Sequence, residues 1–257
     1  MDLEFIESVK ENFVSLANDY LDESININFQ DIHGNTALFY SVNNRCLDLI
    51  NKILSKKANV NIANKSNETC LIWAACSGYT EIAEILVKNG ANINVKTQWG
   101  NSPLNWASRK GHYEIVKLLL YHKANPNIHD IRGYTPIFWA CLNDYPDIVK
   151  LLLENGADPD IQDVFNDTIL ILSIEEVSLE IIKLLLKFSN INIRNYRNKT
   201  ALTQAVHFNR LDVVREILNY FPDKEQVEKS IEITQNPKIK NELLYYLSRL
   251  RTNGESN

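Results

Sequence analysis

The sequence predicts an all-α protein in which short helical repeats stack into a solenoid. A Thr or Ser that precedes a short apolar helix recurs every 33 residues, and finally after 32 residues, at Thr36, Thr69, Ser102, Thr135, Thr168 and Thr200. Each of these helices is followed by a tight reversal and a second, more apolar helix, such as the one over 115–120. A fixed period of this length is typical of units that bury their apolar faces only by stacking on their neighbours.

Each predicted repeat carries start and stop signals for its two helices. The recurring Thr or Ser can cap the first helix, and Pro103 and Pro136 can occupy its first turn without losing a hydrogen bond. The second helix is apolar on several faces, as in 148–153, because it contacts its own partner helix and both adjacent repeats. Gly90 and Gly156 can end that helix in a left-handed conformation.

The repeat resembles the ankyrin repeat. The family signature T-P-L-H-x-A is approached by residues 102–107 and 135–140, and Gly111-His112 matches the Gly-His that follows it. Consecutive matches extend from about residue 26 to 222. The resemblance implies an ankyrin solenoid with short hairpin or loop fingers between the repeats and a helical cap at each end.

We expect the following domain organisation. The ranges are capping helices at 1–30, six repeats at 31–63, 64–96, 97–129, 130–162, 163–194 and 195–222, capping helices at 223–251, and a disordered tail at 252–257. In the closing helices, Asp223 and Gln226 predict a capping box, and an apolar stripe is predicted at Ile239, Leu243, Leu244 and Leu247.

The fifth repeat departs from the pattern. The reversal that uses Gly78 and Gly111 in other repeats has Val177 here, and a β-branched residue is a poor choice for positive φ. The repeat also lacks one residue and the Gly-Ala pair that precedes the last hairpin elsewhere. We therefore expect a rebuilt or strained turn near Val177 and the least regular stacking over 174–195.

Composition and charge restrict the classes of function. The formal net charge of −5 argues against a nucleic-acid partner or an anionic membrane surface. Four unpaired cysteines, an acidic N-terminus and the absence of a long apolar run predict a soluble cytoplasmic protein. We expect a monomer. Abundant Asn, Ile and Lys suggest an AT-rich genome, so one hypothesis is an intracellular microbe's effector that acts inside a host cell.

No pattern of catalytic, metal-binding or cofactor-binding residues is visible. The five histidines lack metal-ligand spacing, and there is no glycine-rich phosphate loop or nucleophile motif. His112 is expected to make a structural hydrogen bond. Asn94 and Asn127 are similar to ankyrin hairpin asparagines that an asparaginyl hydroxylase modifies in animal cells; the alternative is that they only make turn hydrogen bonds.

Recurrent aromatic residues have two interpretations. Trp73, Trp106 and Trp139 lie 33 residues apart within first helices. We interpret them as packing between adjacent repeats, and a ligand-stacking row is the alternative. Trp99 differs, because it precedes a first helix and lies in a predicted finger.

The resemblance places the partner-binding surface on the fingers and first helices, which in the family line a concave groove. Trp99, Tyr134, Phe165 and Tyr196 are predicted to occupy equivalent positions on successive fingers, with Arg132 and Arg197 beside them. Exposed aromatic and Arg side chains dominate interface hot spots; the alternative is that they pack on neighbouring fingers. The ends of the first helices add two basic residues, Arg109 and Lys110.

Charge along this surface alternates, since the acidic pair 175–176 occupies the place of Arg109 and Lys110 two repeats later. A polynucleotide groove needs one sign of charge throughout. We therefore predict a non-catalytic scaffold that holds a protein partner in the groove, centred on repeats three to six. The alternative function is a regulatory subunit that occludes the active site of a partner enzyme, and catalysis by the chain itself is disfavoured.

Overall fold

The computed structural model describes the backbone of residues 1–254 and the side chains of residues 1–250. Within that part the chain forms sixteen helices and one isolated antiparallel bridge, Gln162–Thr168. The fold is the all-α ankyrin solenoid that the sequence predicts. The chain divides into two compact units, Met1–Ile131 and Arg132–Asn257.

The first unit contains four antiparallel helix pairs. The helices are α1 (Asp2–Lys10), α2 (Val14–Leu21), α3 (Ala37–Asn43), α4 (Leu47–Ser55), α5 (Cys70–Ser77), α6 (Thr80–Lys88), α7 (Pro103–Lys110) and α8 (Tyr113–Tyr121). First helices pack in the series α1, α3, α5 and α7, while α2 packs on α4 and α6 on α8. The N-terminal pair therefore packs on α3 and α4 as a repeat would.

The second unit repeats this arrangement. Its helices are α9 (Pro136–Leu142), α10 (Pro146–Glu154), α11 (Ile169–Ser173), α12 (Leu179–Leu186), α13 (Ala201–His207), α14 (Leu211–Leu218), α15 (Lys224–Ile233) and α16 (Pro237–Gly254). First helices pack in the series α9, α11, α13 and α15, and second helices in the series α10, α12, α14 and α16. The last two helices thus take the places of a first and a second helix.

The predicted helix caps are confirmed in five of the six positions. The side chains of Thr36, Thr69, Ser102, Thr168 and Thr200 each accept a hydrogen bond from the backbone three residues on. Thr135 makes no such bond, and Pro136 starts that helix instead. Pro103 likewise occupies the first turn of α7. Capping and proline preorganisation therefore fix where the first helices begin.

The rebuilt turn near Val177 is confirmed. The reversals at Gly78, Gly111, Arg45, Asp144 and Asn209 all have positive φ. In the fifth repeat α11 ends early, at Ser173, and Val177 donates from its backbone N to Ser173 O at 3.1 Å without a left-handed residue in the turn. The Arg210 guanidinium donates to Ile174 O at 3.0 Å and so supports the altered turn.

The residue that the fifth repeat lacks corresponds to the left-handed residue that follows the second helix in other repeats. Helices α4, α6, α8 and α10 are followed by residues with positive φ, which are Lys57, Gly90, Lys123 and Gly156. Residues 187–190 after α12 contain none, and the helix ends through bonds from Phe188 and Ser189 to Leu185 O at 2.9 Å. The shorter repeat is thus accommodated at the end of its second helix.

Two expectations for the closing helices are wrong. Asp223 makes no side-chain cap bond to α15, and the buried Gln226 lies against Thr200 and Arg194 instead of closing a capping box. Leu244 is 47% exposed, whereas Leu243 and Ile239 are fully buried.

The last helix runs through Gly254, past Arg251, where we expected it to end. The final three residues of the expected disordered tail, 255–257, lie outside the described part of the chain.

Candidate protein-binding surface

A finger is the five-residue turn that precedes each first helix. The side chain of its first residue holds the turn closed: Asp163 Oδ1 accepts from the backbone N of Phe165 at 2.8 Å and of Asp167 at 2.9 Å. The same pair of bonds is made by Asp31, Asn64, Thr97 and Asn195. Asp and Asn favour such turns because their short side chains reach the backbone two residues on.

The fourth residue of every finger is left-handed, at Gly34, Asn67, Gly100, Gly133, Asn166 and Asn198. At Gly133 a Cβ would lie 2.7 Å from the Cα of Asp163, so a side chain there would collide with the next finger. The finger pattern of Asp or Asn (Thr97 in one finger) followed three residues later by Gly or Asn was readable in the sequence, and our sequence interpretation missed it.

Backbone hydrogen bonds join neighbouring fingers. In the first unit, Lys65 donates to His33 O at 3.0 Å, Gln98 to Ser66 O at 3.3 Å and Ile131 to Trp99 O at 3.1 Å. In the second unit, Val164 donates to Arg132 O at 3.1 Å and Tyr196 to Phe165 O at 3.4 Å. We call the second and third residues of a finger the fingertip. The fingertips are therefore held by backbone bonds to neighbouring fingers rather than projecting as loose loops.

The prediction that four aromatic residues occupy equivalent finger positions is wrong. Trp99 and Phe165 are third residues, Tyr196 is a second residue and Tyr134 is a fifth residue. Tyr134 is half-buried and stacks on Phe138, with ring centroids 5.1 Å apart. The sequence interpretation aligned the fingers by their aromatic residues. The structure shows that the first residue of each turn, whose side chain accepts the turn hydrogen bonds, decides which positions are equivalent.

The other three aromatic side chains lie on fingertips and are exposed. Trp99, in the first unit, is 57% exposed. In the second unit Phe165 is 57% and Tyr196 55% exposed, and their rings lie 6.1 Å apart. Phe165 and Tyr196 therefore contact each other, as the packing alternative predicts, while more than half of each side chain still faces solvent.

The predicted basic residues contact aromatic rings of their own unit. In the second unit the Arg197 guanidinium lies 5.0 Å from the Tyr196 ring, and Arg132 lies 4.7 Å from both Tyr134 and Trp139. In the first unit Arg109 lies 5.3 Å from Trp106, and Lys110, the last residue of α7, is exposed. Stacking on rings orients the Arg side chains while keeping their positive charge.

A polar cavity of about 190 Å³ lies at the base of the last two fingers. Its lining includes Asp167, Asn195, Arg197, Lys199 and Gln204. Asn195 Nδ2 donates to Asp167 Oδ1 at 2.7 Å, and Lys199 Nζ donates to Gln204 Oε1 at 3.2 Å. Partial burial raises the pKa of the Asp167 carboxyl. This cavity thus combines one engaged carboxylate with two cations.

The tryptophans within the first helices differ in burial. Trp139 is 7% exposed, whereas Trp73 and Trp106 are half-buried. Trp73 packs on Phe39 with ring centroids 5.6 Å apart, and Trp139 packs edge-on against Tyr134 at 5.4 Å. These contacts support packing rather than a ligand-stacking row.

The predicted structural role of His112 is confirmed. Its Nε2–H donates to Cys76 O at 3.1 Å and links two repeats of the first unit. Burial raises the pKa of the Cys70 thiol to about 12 and also raises those of Cys76 and Cys141. These three thiols are therefore protonated near neutral pH and are poor nucleophiles.

A ladder of asparagine side chains connects the hairpins that follow the second helices. In the first unit, side-chain oxygens of Asn28, Asn61 and Asn94 accept from the backbone N of Asn59, Asn92 and Asn125, at 2.7, 2.7 and 2.9 Å. In the second unit, Asp160 accepts from Asn190 at 2.9 Å and Asn192 from Asp223 at 3.0 Å. We call each such bond a rung. The recurring Asn-x-Asn spacing was the signal for it.

Asn94 lies on this ladder, and Asn127 lies in the corresponding hairpin one repeat later. Asn94 is exposed; it accepts the rung bond, and its own backbone N donates to Asn92 Oδ1 at 3.1 Å. Asn127 is half-buried, and its backbone N donates to Asn125 Oδ1 at 2.9 Å. The turn hydrogen bonds of the alternative interpretation are thus present at both positions, and hydroxylation stays a prediction.

Replacing Asp160 by Asn should change how stability depends on pH. Partial burial raises the pKa of Asp160, so the folded state binds the proton more tightly than the unfolded state does, and stability falls as pH rises through that pKa. The uncharged amide of the variant retains one oxygen for the rung, and because it does not ionise, this position no longer lowers stability as the pH rises. The Asp160→Asn protein should therefore gain more in melting temperature, relative to wild type, at about pH 7 than at about pH 4.

Glu154→Gln is the matched control, because Glu154 is exposed at the end of α10 in the same repeat and is not among the groups that shift the pKa of Asp160. Thermal unfolding followed by circular dichroism at the two pH values checks the prediction. An Asp160→Asn protein that is less stable than wild type at the higher pH would contradict it.

Comparison with known proteins decides the family. A family model described as ankyrin repeats (3 copies) matches residues 5–97, 90–163 and 156–228. The chain belongs to the ankyrin-repeat family. The matches include most of the N-terminal helix pair and part of α15, in agreement with the repeat-like packing of both ends. No curated protein matches the chain.

Further features of the described residues bear on cofactors and membranes. No group of three or more His, Cys, Asp or Glu side chains that could hold a metal ion occurs among them. Within residues 1–254, no helix combines the length and the apolar character that crossing a membrane requires.

Proposed function

We propose that this ankyrin-repeat chain is a non-catalytic module that binds a protein partner through the fingertips of its second unit. Ankyrin repeats are generally protein–protein interaction modules. The observation that carries the proposal is the exposed pair Phe165 and Tyr196, set on fingers that are fixed by side-chain and backbone bonds. Large exposed rings on a rigid support lose little conformational entropy on binding, and such residues supply most interface hot spots.

The first unit presents a smaller feature of the same kind. Trp99 is the exposed aromatic residue of its fingertips, next to Gln98 and close in sequence to the cationic end of α7. We propose Trp99, Arg109 and Lys110 as secondary contact residues. Tyr134 no longer belongs to the proposed contact set, because its ring packs on Phe138 and Trp139.

A double variant separates binding from stability. Phe165→Ala/Tyr196→Ala should lower the free energy of unfolding by about 1 kcal/mol at most, since it removes exposed side chains and one ring contact. Loss of two interface anchors should weaken partner binding by about 2 kcal/mol or more. Thermal unfolding and quantitative affinity capture from a cell lysate measure the two effects.

Tyr121→Ala/Phe188→Ala is the matched control. It removes one Tyr and one Phe that are 78% and 52% exposed but lie at or just after the ends of second helices. The proposal requires capture to survive in this control and to be lost in the fingertip variant. If both variants capture the same proteins, the partner binds another surface; an enzyme activity that falls on capture would favour the inhibitory subunit.

A further inference from the structure

Along the fingertips of the second unit, apolar side chains lie between two cationic ones. Arg132 and Arg197 are exposed third residues of the outer two fingers, and the exposed Val164 and Phe165 form the fingertip between them. Backbone bonds from Val164 to Arg132 O and from Tyr196 to Phe165 O fix this order in space. The surface therefore presents an apolar centre with a cation on each side.

The carboxylate that shares a cavity with Arg197 and Lys199 is already engaged. Asp167 is half-buried, accepts from Asn195 Nδ2 at 2.7 Å and also donates its backbone N to Asp163. Neither Arg197 nor Lys199 forms an ion pair with the described residues. Lys199 is held by the neutral Gln204 amide. This end of the surface thus holds two cations, Arg197 and Lys199, and a single carboxylate, Asp167, in one cavity.

The Arg197 side chain is positioned to receive an anion. Its Nε donates to Tyr196 Oη at 2.5 Å, and the guanidinium lies 5.0 Å from the Tyr196 ring. The two terminal nitrogens make no hydrogen bond to the described part of the chain. A guanidinium held in one orientation with both terminal N–H groups open matches a carboxylate in a two-point contact.

Two negatively charged residues follow α11, the first helix of the fifth repeat. Glu175 and Glu176, both exposed, follow α11, whose N-terminal end adjoins the Phe165 finger. A carboxylate of a partner is therefore attracted at the fingertip end of this helix and repelled at its other end. This arrangement gives the surface a direction.

We propose that these fingertips recognise a peptide segment in which an aromatic or large aliphatic side chain is flanked by Asp or Glu residues. The apolar side chain packs on Phe165 and Tyr196, and a flanking carboxylate pairs with Arg197, while Arg132 adds positive charge on the other side of the apolar centre. The inference rests on the proposed function, because it specifies the chemistry of the partner segment at the same surface. It also explains why the fingertip cations flank an apolar centre in a chain whose net charge is −5.

Three fluorescent synthetic peptides test the proposal by fluorescence polarisation with the full-length protein. One carries a central Phe between two Asp-Glu pairs, the second replaces the four acids by Lys, and the third replaces Phe by Ala. The acidic Phe peptide should bind at least about tenfold more tightly than either of the others, and its affinity should fall as salt screens the charges.

Arg197→Glu should weaken binding of the acidic Phe peptide about tenfold or more. Lys187→Glu is the control, since it makes the same change of charge at an exposed residue that follows α12. Equal binding of the Lys peptide, no binding of the acidic Phe peptide, or an unchanged affinity in Arg197→Glu would each overturn the proposal.

Capture from lysate distinguishes this inference from the proposed function. If Phe165→Ala/Tyr196→Ala abolishes capture while Arg197→Glu leaves it intact, the fingertips bind a protein but not through acidic residues. If neither variant affects capture, the surface itself is wrong and both proposals fail.

Discussion

Replacing Trp139 by Ala should lower the free energy of unfolding by about 3–5 kcal/mol, the range expected for removing a buried aromatic side chain. Trp139 is 7% exposed, its ring packs edge-on against Tyr134 at 5.4 Å, and Arg132 covers it at 4.7 Å. The truncation leaves a cavity that helix α9 cannot close without moving. Urea unfolding followed by circular dichroism measures the loss.

Trp106→Ala is the matched comparison, because Trp106 lies one repeat earlier at the equivalent helix position. Its side chain is half-buried, so its removal should cost about 2 kcal/mol, less than the loss at Trp139. Equal losses in the two variants, or near-native stability of Trp139→Ala, would show that burial of the ring does not determine its contribution.

Replacing Leu243 by Asp should disrupt the C-terminal end of the second unit. Leu243 is fully buried on α16, which packs on α14, so an unpaired carboxylate there costs several kcal/mol. Detachment of α15 and α16 would expose the parts of α13 and α14 on which they pack. A protein lacking 223–257 should behave in the same way. We expect a smaller peak of native protein in size-exclusion chromatography and a broadened thermal transition.

Leu244→Asp provides a control at the adjacent residue. Leu244 is 47% exposed, so a carboxylate there stays solvated and should change stability by less than about 0.5 kcal/mol. If the two Asp variants behave alike, or if the truncated protein keeps its solubility and melting temperature, α16 does not cover the end of the array.

The helix pairs were predictable from the sequence because several local signals agree. The Thr and Ser caps, the prolines and the 33-residue period all indicate the same helix starts, and the structure has them there. The altered reversal at Val177 was also predictable, since a β-branched residue does not adopt the left-handed conformation that other repeats use.

The errors have physical reasons. Leu243 and Leu244 are adjacent on a helix, so composition alone does not decide which of them is buried. Asp223 and Gln226 have the spacing of a capping box, but burial against Thr200 and Arg194 holds the Gln226 side chain elsewhere. On the candidate surface, Phe165 and Tyr196 were found by their residue type. Tyr134 was wrongly included because exposure depends on the turn register, which the first residue of each finger sets.

The asparagine ladder also bears on how such a protein can be lengthened, shortened or recombined. The fifth repeat lost a residue between Asp160 and Asn190, yet both groups still form their rung, because the change fell at the end of α12. A rung needs only an amide or carboxylate oxygen on one side and a backbone N–H on the other. A block exchanged between two hairpins therefore recreates its own junctions when it carries Asn-x-Asn at both edges. Chimaeras of this protein should be spliced at the hairpins, since splicing inside a helix pair would separate side chains that pack together.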